Sequence, residues 1–249
     1  MKENMWSNGY KLIKINKEKK IINLRKKFLS IFNLACKLNN YKAIKNDYDI
    51  YQLYKKKKDI WIAAYDQIRM LPDIYEIIDS NFINLVSKNT GIKIPAFTSK
   101  PVVRVCMPED IGTGRAETHI DYPSHRGSAN AVTVWFPLQS TNEINGTLRI
   151  IPKSHKTKTW TGSIMKNTVQ RKDLSSKIID NKLQNINVKI SEALIISQFL
   201  VHSSGTNLSN NIRFSIDFRL NDLSDRQYAL RKYYLNQGNF YKKTGRGND

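Results

Sequence analysis

The chain opens on an alternation of polar and apolar residues, Gly9-Tyr-Lys-Leu-Ile-Lys14, which predicts a short strand. From Glu18 to Leu38 the period changes: Ile21, Leu24, Phe28, Ile31, Phe32 and Ala35 recur at helical spacing. A second helix is predicted over about Asp59 to Met70, ending before Pro72, and a third runs on to about Val86. Asn89-Thr-Gly91 then breaks the pattern. After Pro95 short β-rich segments alternate with turns: Val102–Met107, Ala116–Asp121, Ala131–Leu138, Thr147–Ile151, Val188–Ser197, Phe199–Ser203 and Ile212–Leu220. Regular short strands of this kind predict an antiparallel sandwich or barrel. The polar stretch between Pro152 and Asn187 reads as an insertion between strands, Gln227 to Tyr234 as a helix, and the last residues as a loose tail. With no internal repeat and no linker, the expected organisation is one domain over residues 1–249. A helical layer (1–95) packs on a β-rich core (96–222), and a tail (223–249) completes the chain.

Composition narrows the class. The 249 residues are 40% hydrophobic and 25% charged, as in soluble globular proteins. No apolar stretch reaches membrane-spanning length, and Met1 to Tyr10 lacks the apolar run of a signal peptide. The two cysteines, Cys36 and Cys106, have neither zinc spacing nor a disulfide framework, so the reducing cytoplasm is the expected compartment. The net charge of +20 allows an anionic partner, such as nucleic acid, a membrane surface or an anionic substrate. Much of it lies in lysine runs (Lys14–Lys20, Lys55–Lys58) and in the tail, which read as solvated faces in a chain rich in Lys, Asn and Ile.

Candidate chemistry centres on two of the four histidines and one aspartate. His119 and Asp121 are two residues apart in a strand-like stretch, so alternation is expected to put both on one face. His202 can supply a third ligand from a neighbouring strand. Two imidazoles and one carboxylate leave coordination positions open, the arrangement of a non-haem Fe(II) oxygenase. H-x-D alone is a weak motif. The strand downstream of His202 strengthens it: Ile212-Arg-Phe-Ser-Ile-Asp-Phe-Arg-Leu220 alternates strictly, placing Arg213, Ser215, Asp217 and Arg219 on one face. A buried arginine needs a partner. A bidentate carboxylate, with Ser215 as an added donor, meets the need, and a structural Asp or Glu is the alternative.

These residues resemble those of the phytanoyl-CoA dioxygenase-like family of Fe(II)/2-oxoglutarate oxygenases. The resemblance covers about Val102 to Leu220. It rests on His119-Ile-Asp121, the Val132-Thr-Val-Trp-Phe-Pro-Leu138 strand, Asn145-Gly-Thr-Leu-Arg-Ile-Ile-Pro-Lys-Ser-His155, His202-Ser-Ser204 and Arg213-Phe-Ser215. It implies a double-stranded β-helix, a cupin-like jelly roll flanked by N-terminal helices, mainly β in its core. It implies Fe(II) on His119, Asp121 and His202, and the distal carboxylate of 2-oxoglutarate on Arg213 and Ser215. Trp135 and Ser204 are implied as further co-substrate contacts. O2 is the oxidant, and succinate and CO2 are released. Lys153 stands where the family more often has glycine, and His155 is expected to be a turn residue and not a ligand. Asp121 argues for hydroxylation or a related oxidation, since halogenases of the superfamily lack that carboxylate.

Candidate substrate contacts are Tyr122, His125, Arg126 and Asn130 after the triad, with Arg104 and Arg149 near the mouth. Several arginines at one opening suit a small polar, anionic metabolite: an amino acid derivative, a sugar precursor or a phosphonate. A nucleic-acid dealkylase of the same superfamily is the alternative, given the charge and the Arg213/Arg219 spacing. Ser215 and Asp217 replace the Asn and Thr expected there, so nucleic acid is not the expected partner. A non-enzymatic β-sandwich binding protein is the other alternative, and the intact ligand set opposes it.

Overall fold

The computed structural model describes residues 5–108, 116–156 and 181–232. After one helical turn, α1 (Met5–Asn8), the first alternating segment becomes β1 (Tyr10–Lys14). The helical period after it becomes α2 (Glu18–Leu38), over the expected span. It buries Ile21, Leu24, Phe28, Phe32 and Cys36 on one face, with Ile31 and Ala35 at the margin. α3 (Asp47–Lys56) is not among the predicted helices. Its buried face is only Ile50, Tyr51 and Leu53, and Asn46 starts it by accepting from the Asp49 N–H. α4 (Lys58–Ile68) is the second predicted helix. The third is two helices, α5 (Asp73–Ile77) and α6 (Ser80–Thr90), because the Asp79 side chain caps the latter at the Phe82 N–H. Gly91, at φ 76, closes α6 in the left-handed region.

Two antiparallel sheets form the rest of the molecule. The larger orders β1, β7 (Glu192–Ser197), β4 (Val132–Pro137) and β9 (Arg213–Asp222). The free side of β9 carries β2 (Pro95–Phe97) and β3 (Val102–Cys106). The smaller orders β6 (Gln184–Ile186), β5 (Leu148–Ile150) and β8 (His202–Ser204). One face of the large sheet packs on the helices: Phe214 meets Phe28 edge-on at 5.3 Å, and Phe218 meets Phe82 at 5.5 Å. The other face, with Trp135, Leu194 and Ile196, packs on Leu148 and Ile150 of the small sheet. This is the expected jelly-roll core, with helices flanking one side.

The chain departs from the strand pattern at Ala116–Asp121. That segment is not a strand but a single bridge, with His119 and His202 exchanging N–H···O bonds of 2.9 Å. Straight after it the chain coils into the one-turn α7 (Tyr122–His125), so no second ladder pair can form. β2 and β6 are not among the predicted strands. The C-terminal helix is the short α8 (Arg226–Leu230). Most of the polar insertion (157–180) and the end of the tail (233–249) lie outside the described residues. Among the described residues, no helix is long and apolar enough to cross a membrane.

Candidate metal centre

The alternation of β9 sends its apolar residues to the helices and its polar ones inward. Arg213, Ser215, Asp217 and Arg219 therefore line a cavity between the sheets, as expected. Register brings β4 alongside, with Thr133 opposite Arg219 and Trp135 opposite Asp217. β3 adds Arg104, opposite Ser215. A second cleft of about 310 Å³, on the helical side near Phe28 and Phe214, offers no cluster of metal donors among the described residues.

His119, Asp121 and His202 converge at the cavity between the sheets, with one donor atom from each within 4.8 Å of the others. The route differs from simple strand alternation: the bridge to β8 delivers His119, and the turn into α7 delivers Asp121. His119 Nε2 lies 3.5 Å from Asp121 Oδ1, and His202 Nε2 lies 4.0 Å from Oδ2. Each Nδ1 points at a backbone carbonyl two residues back, Glu117 at 2.6 Å and Leu200 at 2.8 Å. A carbonyl only accepts, so Nδ1 carries the proton and Nε2 presents its lone pair to the centre. Burial, followed by the neighbouring His119, lowers the His202 pKa to about 4. Burial works against ionisation of Asp121, but Arg219 and the two imidazoles outweigh it and hold the carboxyl well below its usual range. Thr133 Oγ1 donates to Asp121 Oδ2. Two imidazoles with Nε2 facing the centre and a carboxylate are a donor set that could hold a divalent iron.

Arg213 is 2% exposed. It donates to Ser215 Oγ at 2.6 Å and to the Gly146 carbonyl at 2.9 Å, and it lies over the Trp135 ring at 5.4 Å. Its Nε has no partner, and among the described residues no carboxylate pairs with it. Among the described residues, the structural ion pair with Asp or Glu is thus not formed. A buried guanidinium with neutral supports and a free N–H is suited to an anionic ligand. Ser204 also lines the cavity, its Oγ accepting from the Ala116 N–H at 3.0 Å.

The candidate substrate residues divide. Arg104 lines the cavity with its side chain 39% exposed, donating to Asp217 at 2.6 Å. His125 donates from Nδ1 to the Asp121 carbonyl at 3.0 Å. Tyr122 packs on Phe199, 4.7 Å between centroids, and Arg126 adopts φ 46 after α7. Asn130 is committed elsewhere, donating to Asp222 and accepting from Ser128. Arg149 points away: on β5 its neighbours Leu148 and Ile150 face the large sheet, so alternation turns Arg149 outward. His155 donates to the Trp6 carbonyl at 3.0 Å, a tie between segments, as expected of a turn residue. Lys153 adopts φ 65, in the left-handed region that favours glycine. The sequence alone assigns no role to Thr133, Gly146 or Arg219. Arg219 is signalled by its place on the Arg213 face, the others only by tertiary structure.

The profile of the phytanoyl-CoA dioxygenase (PhyH) family matches residues 94–215, spanning the bridge to His119, Asp121, His202 and Arg213. Over this stretch, just under half of the chain, the protein is similar to the phytanoyl-CoA dioxygenase family. Solved structures share its fold at low identity. The carbocyclase SnoK from nogalamycin biosynthesis is 12% identical, with 91% of this chain and 88% of that one covered and a TM-score of 0.52. EctD from S. alaskensis, solved with bound Fe, is 15% identical, with 88% and 75% covered and a TM-score of 0.51. HygX from Streptomyces hygroscopicus, solved with nickel and 2-oxoglutarate, is 11% identical, with 88% and 84% covered and a TM-score of 0.53. No curated protein sequence matches the chain. With this match and this donor set, the protein is a non-haem iron, 2-oxoglutarate-dependent oxygenase. The donor set and the free Arg213 Nε fit iron and 2-oxoglutarate respectively.

Proposed function

We propose that His119, Asp121 and His202 ligate the iron, and that Arg213 with Ser215 receives the distal carboxylate of 2-oxoglutarate beside Trp135 and Ser204. The reaction is hydroxylation of an unactivated C–H bond in a small polar, anionic metabolite. The observation that carries this reading is Arg213: fully buried, held by a hydroxyl and a carbonyl, and lacking among the described residues the counter-ion its charge requires. When bound, iron, 2-oxoglutarate and O2 supply the oxidising chemistry, releasing succinate and CO2.

The chain's own residues do the rest. The Glu117 and Leu200 carbonyls fix both imidazoles with Nε2 facing the centre. Trp135, Leu148 and Ile196 wall the cavity with apolar surface that keeps water from the co-substrate. Arg104, half-exposed at the cavity, supports an anionic group on the substrate. Two free, buried cysteines suit the cytoplasm.

The test is Fe(II)-dependent succinate release from 2-oxoglutarate by the full chain. Asp121→Ala is expected to abolish it, and Arg213→Ala to raise the KM for 2-oxoglutarate by at least about tenfold, the loss of one charge-assisted hydrogen bond. An Arg213 variant with unchanged KM would remove the co-substrate assignment. Metabolites that accelerate turnover are expected to carry a carboxylate or phosphate. If uncharged analogues stimulate as well, the anionic part of the reading fails.

A further inference from the structure

Four charged side chains run in unbroken contact from the cavity mouth to Asp121. Arg104 Nε donates to Asp217 Oδ2 at 2.6 Å. Arg219 Nη1 donates to Asp217 Oδ1 at 3.1 Å, and Arg219 Nη2 reaches Asp121 Oδ1 at 3.4 Å. Both oxygens of Asp217 are thereby occupied, each by a different arginine. Thr133 occupies the other oxygen of Asp121. The arrangement results from register, since Thr133 stands opposite Arg219 and Arg219 lies two residues beyond Asp217 on the same face.

We infer that Arg219 is a positioning residue for the carboxylate ligand: with Thr133 it fixes the rotation of the Asp121 carboxylate, and Asp217 fixes Arg219. The inference rests on the proposed ligation of iron by Asp121. A carboxylate held at one oxygen can turn about its Cβ–Cγ bond, whereas two donors on different oxygens stop that turn. A guanidinium beside a dication is electrostatically costly, so Arg219 must be held back from the metal. The geometry does this. Arg219 lies closer to Asp217 than to Asp121, and Asp217 is itself anchored from the far side by Arg104. Untethered, Arg219 would swing fully onto Asp121 and compete with the metal.

Titration of the metal-free full chain with Co(II), followed by calorimetry and by visible absorption, tests this without turnover. Arg219→Ala is expected to weaken Co(II) about tenfold and alter its absorption bands, the usual effect of removing a partner of a ligand. Arg219→Lys keeps the charge but not the fork, and is expected to recover part of the affinity. Asp217→Asn is expected to weaken Co(II) through the freed Arg219. Should Arg219→Ala not fold, Arg219→Ala/Asp217→Ala removes both charges together, and the same loss is expected. Wild-type affinity and spectrum in the single or double variant, with Asp121→Ala defective, would overturn the role of Arg219 alone. Equal Co(II) binding by wild type and Asp121→Ala would instead overturn the iron assignment, and the Arg219 role with it.

Discussion

Gly146 shows how narrowly the surroundings of Arg213, the proposed co-substrate residue, are specified at the residue scale. It adopts φ +79, and its carbonyl is one of the groups holding Arg213. A Cβ there would meet Cys106 Sγ at 2.8 Å and the Gly205 carbonyl at 3.1 Å. Left-handed backbone costs a residue with a side chain about 1–2 kcal/mol, and the contact forces a shift besides. Gly146→Ala is therefore expected to lower thermal stability and raise the KM for 2-oxoglutarate together, read by melting curves and succinate release. A normal KM in a folded variant would mean that the Gly146 carbonyl does not set the position of Arg213.

At the scale of elements, β9 is a strand with two jobs on its two faces. Phe214 belongs to the helical side, against Phe28 and Phe32, and its neighbour Ser215 to the cavity. Phe214→Ala is expected to cost about 3–5 kcal/mol of stability in denaturant unfolding. Ser215→Ala is expected to cost little stability and to raise the 2-oxoglutarate KM several-fold. The outcome that would contradict this division is a large stability loss from Ser215→Ala with unchanged KM. Most of this strand is legible in the sequence, because the strict alternation over Ile212–Leu220 separates an apolar face from a polar one, while its last two residues, Asn221 and Asp222, carry no such signal. The segment before Asp121 is not legible, because a one-residue bridge leaves no period to read; its histidine and aspartate converge through a turn instead. α3 escapes for a related reason: tyrosines and lysines dilute its apolar face, and tertiary contact with α4 supplies the rest. Arg213 is legible as a buried cation, but its freedom from any carboxylate partner among the described residues is a property of the packing. The tie from Arg219 to Asp121 is likewise set by register between β4 and β9 and has no signature in either strand alone.

At the scale of the whole molecule, Asp222 joins the two layers. It accepts from the N–H groups of Lys93 and Ile94, leading out of the helices, and from Asn130 and Ser224 on the sheet side. Burial opposes its ionisation, but these donors prevail and hold the carboxyl far below the ordinary value of about 3.9. A depressed folded pKa stabilises above the unfolded pKa and loses that contribution as pH falls, so the effect fades below about pH 4. Asp222→Asn is expected to lose about 2 kcal/mol at pH 7, as for hydrogen bonds to a charged group. Its melting temperature should also fall less steeply than that of the wild type between about pH 4 and 3. Parallel slopes would show that other carboxylates carry the acid limb.

β1 has a further effect. It covers the outer backbone of β7, whose Glu-Ala-Leu-Ile-Ile-Ser run is apolar and carries one charge. β1 in turn presents Lys11 and Lys14 on the new border of the sheet. An open apolar strand invites a second chain to pair with it, while lysines on a border repel an approaching copy. Two of the many positive charges are thus expected to act as gatekeepers against self-association. A chain begun at Ile15 should form concentration-dependent oligomers in sedimentation, and Lys11→Ile/Lys14→Ile should do so to a lesser degree.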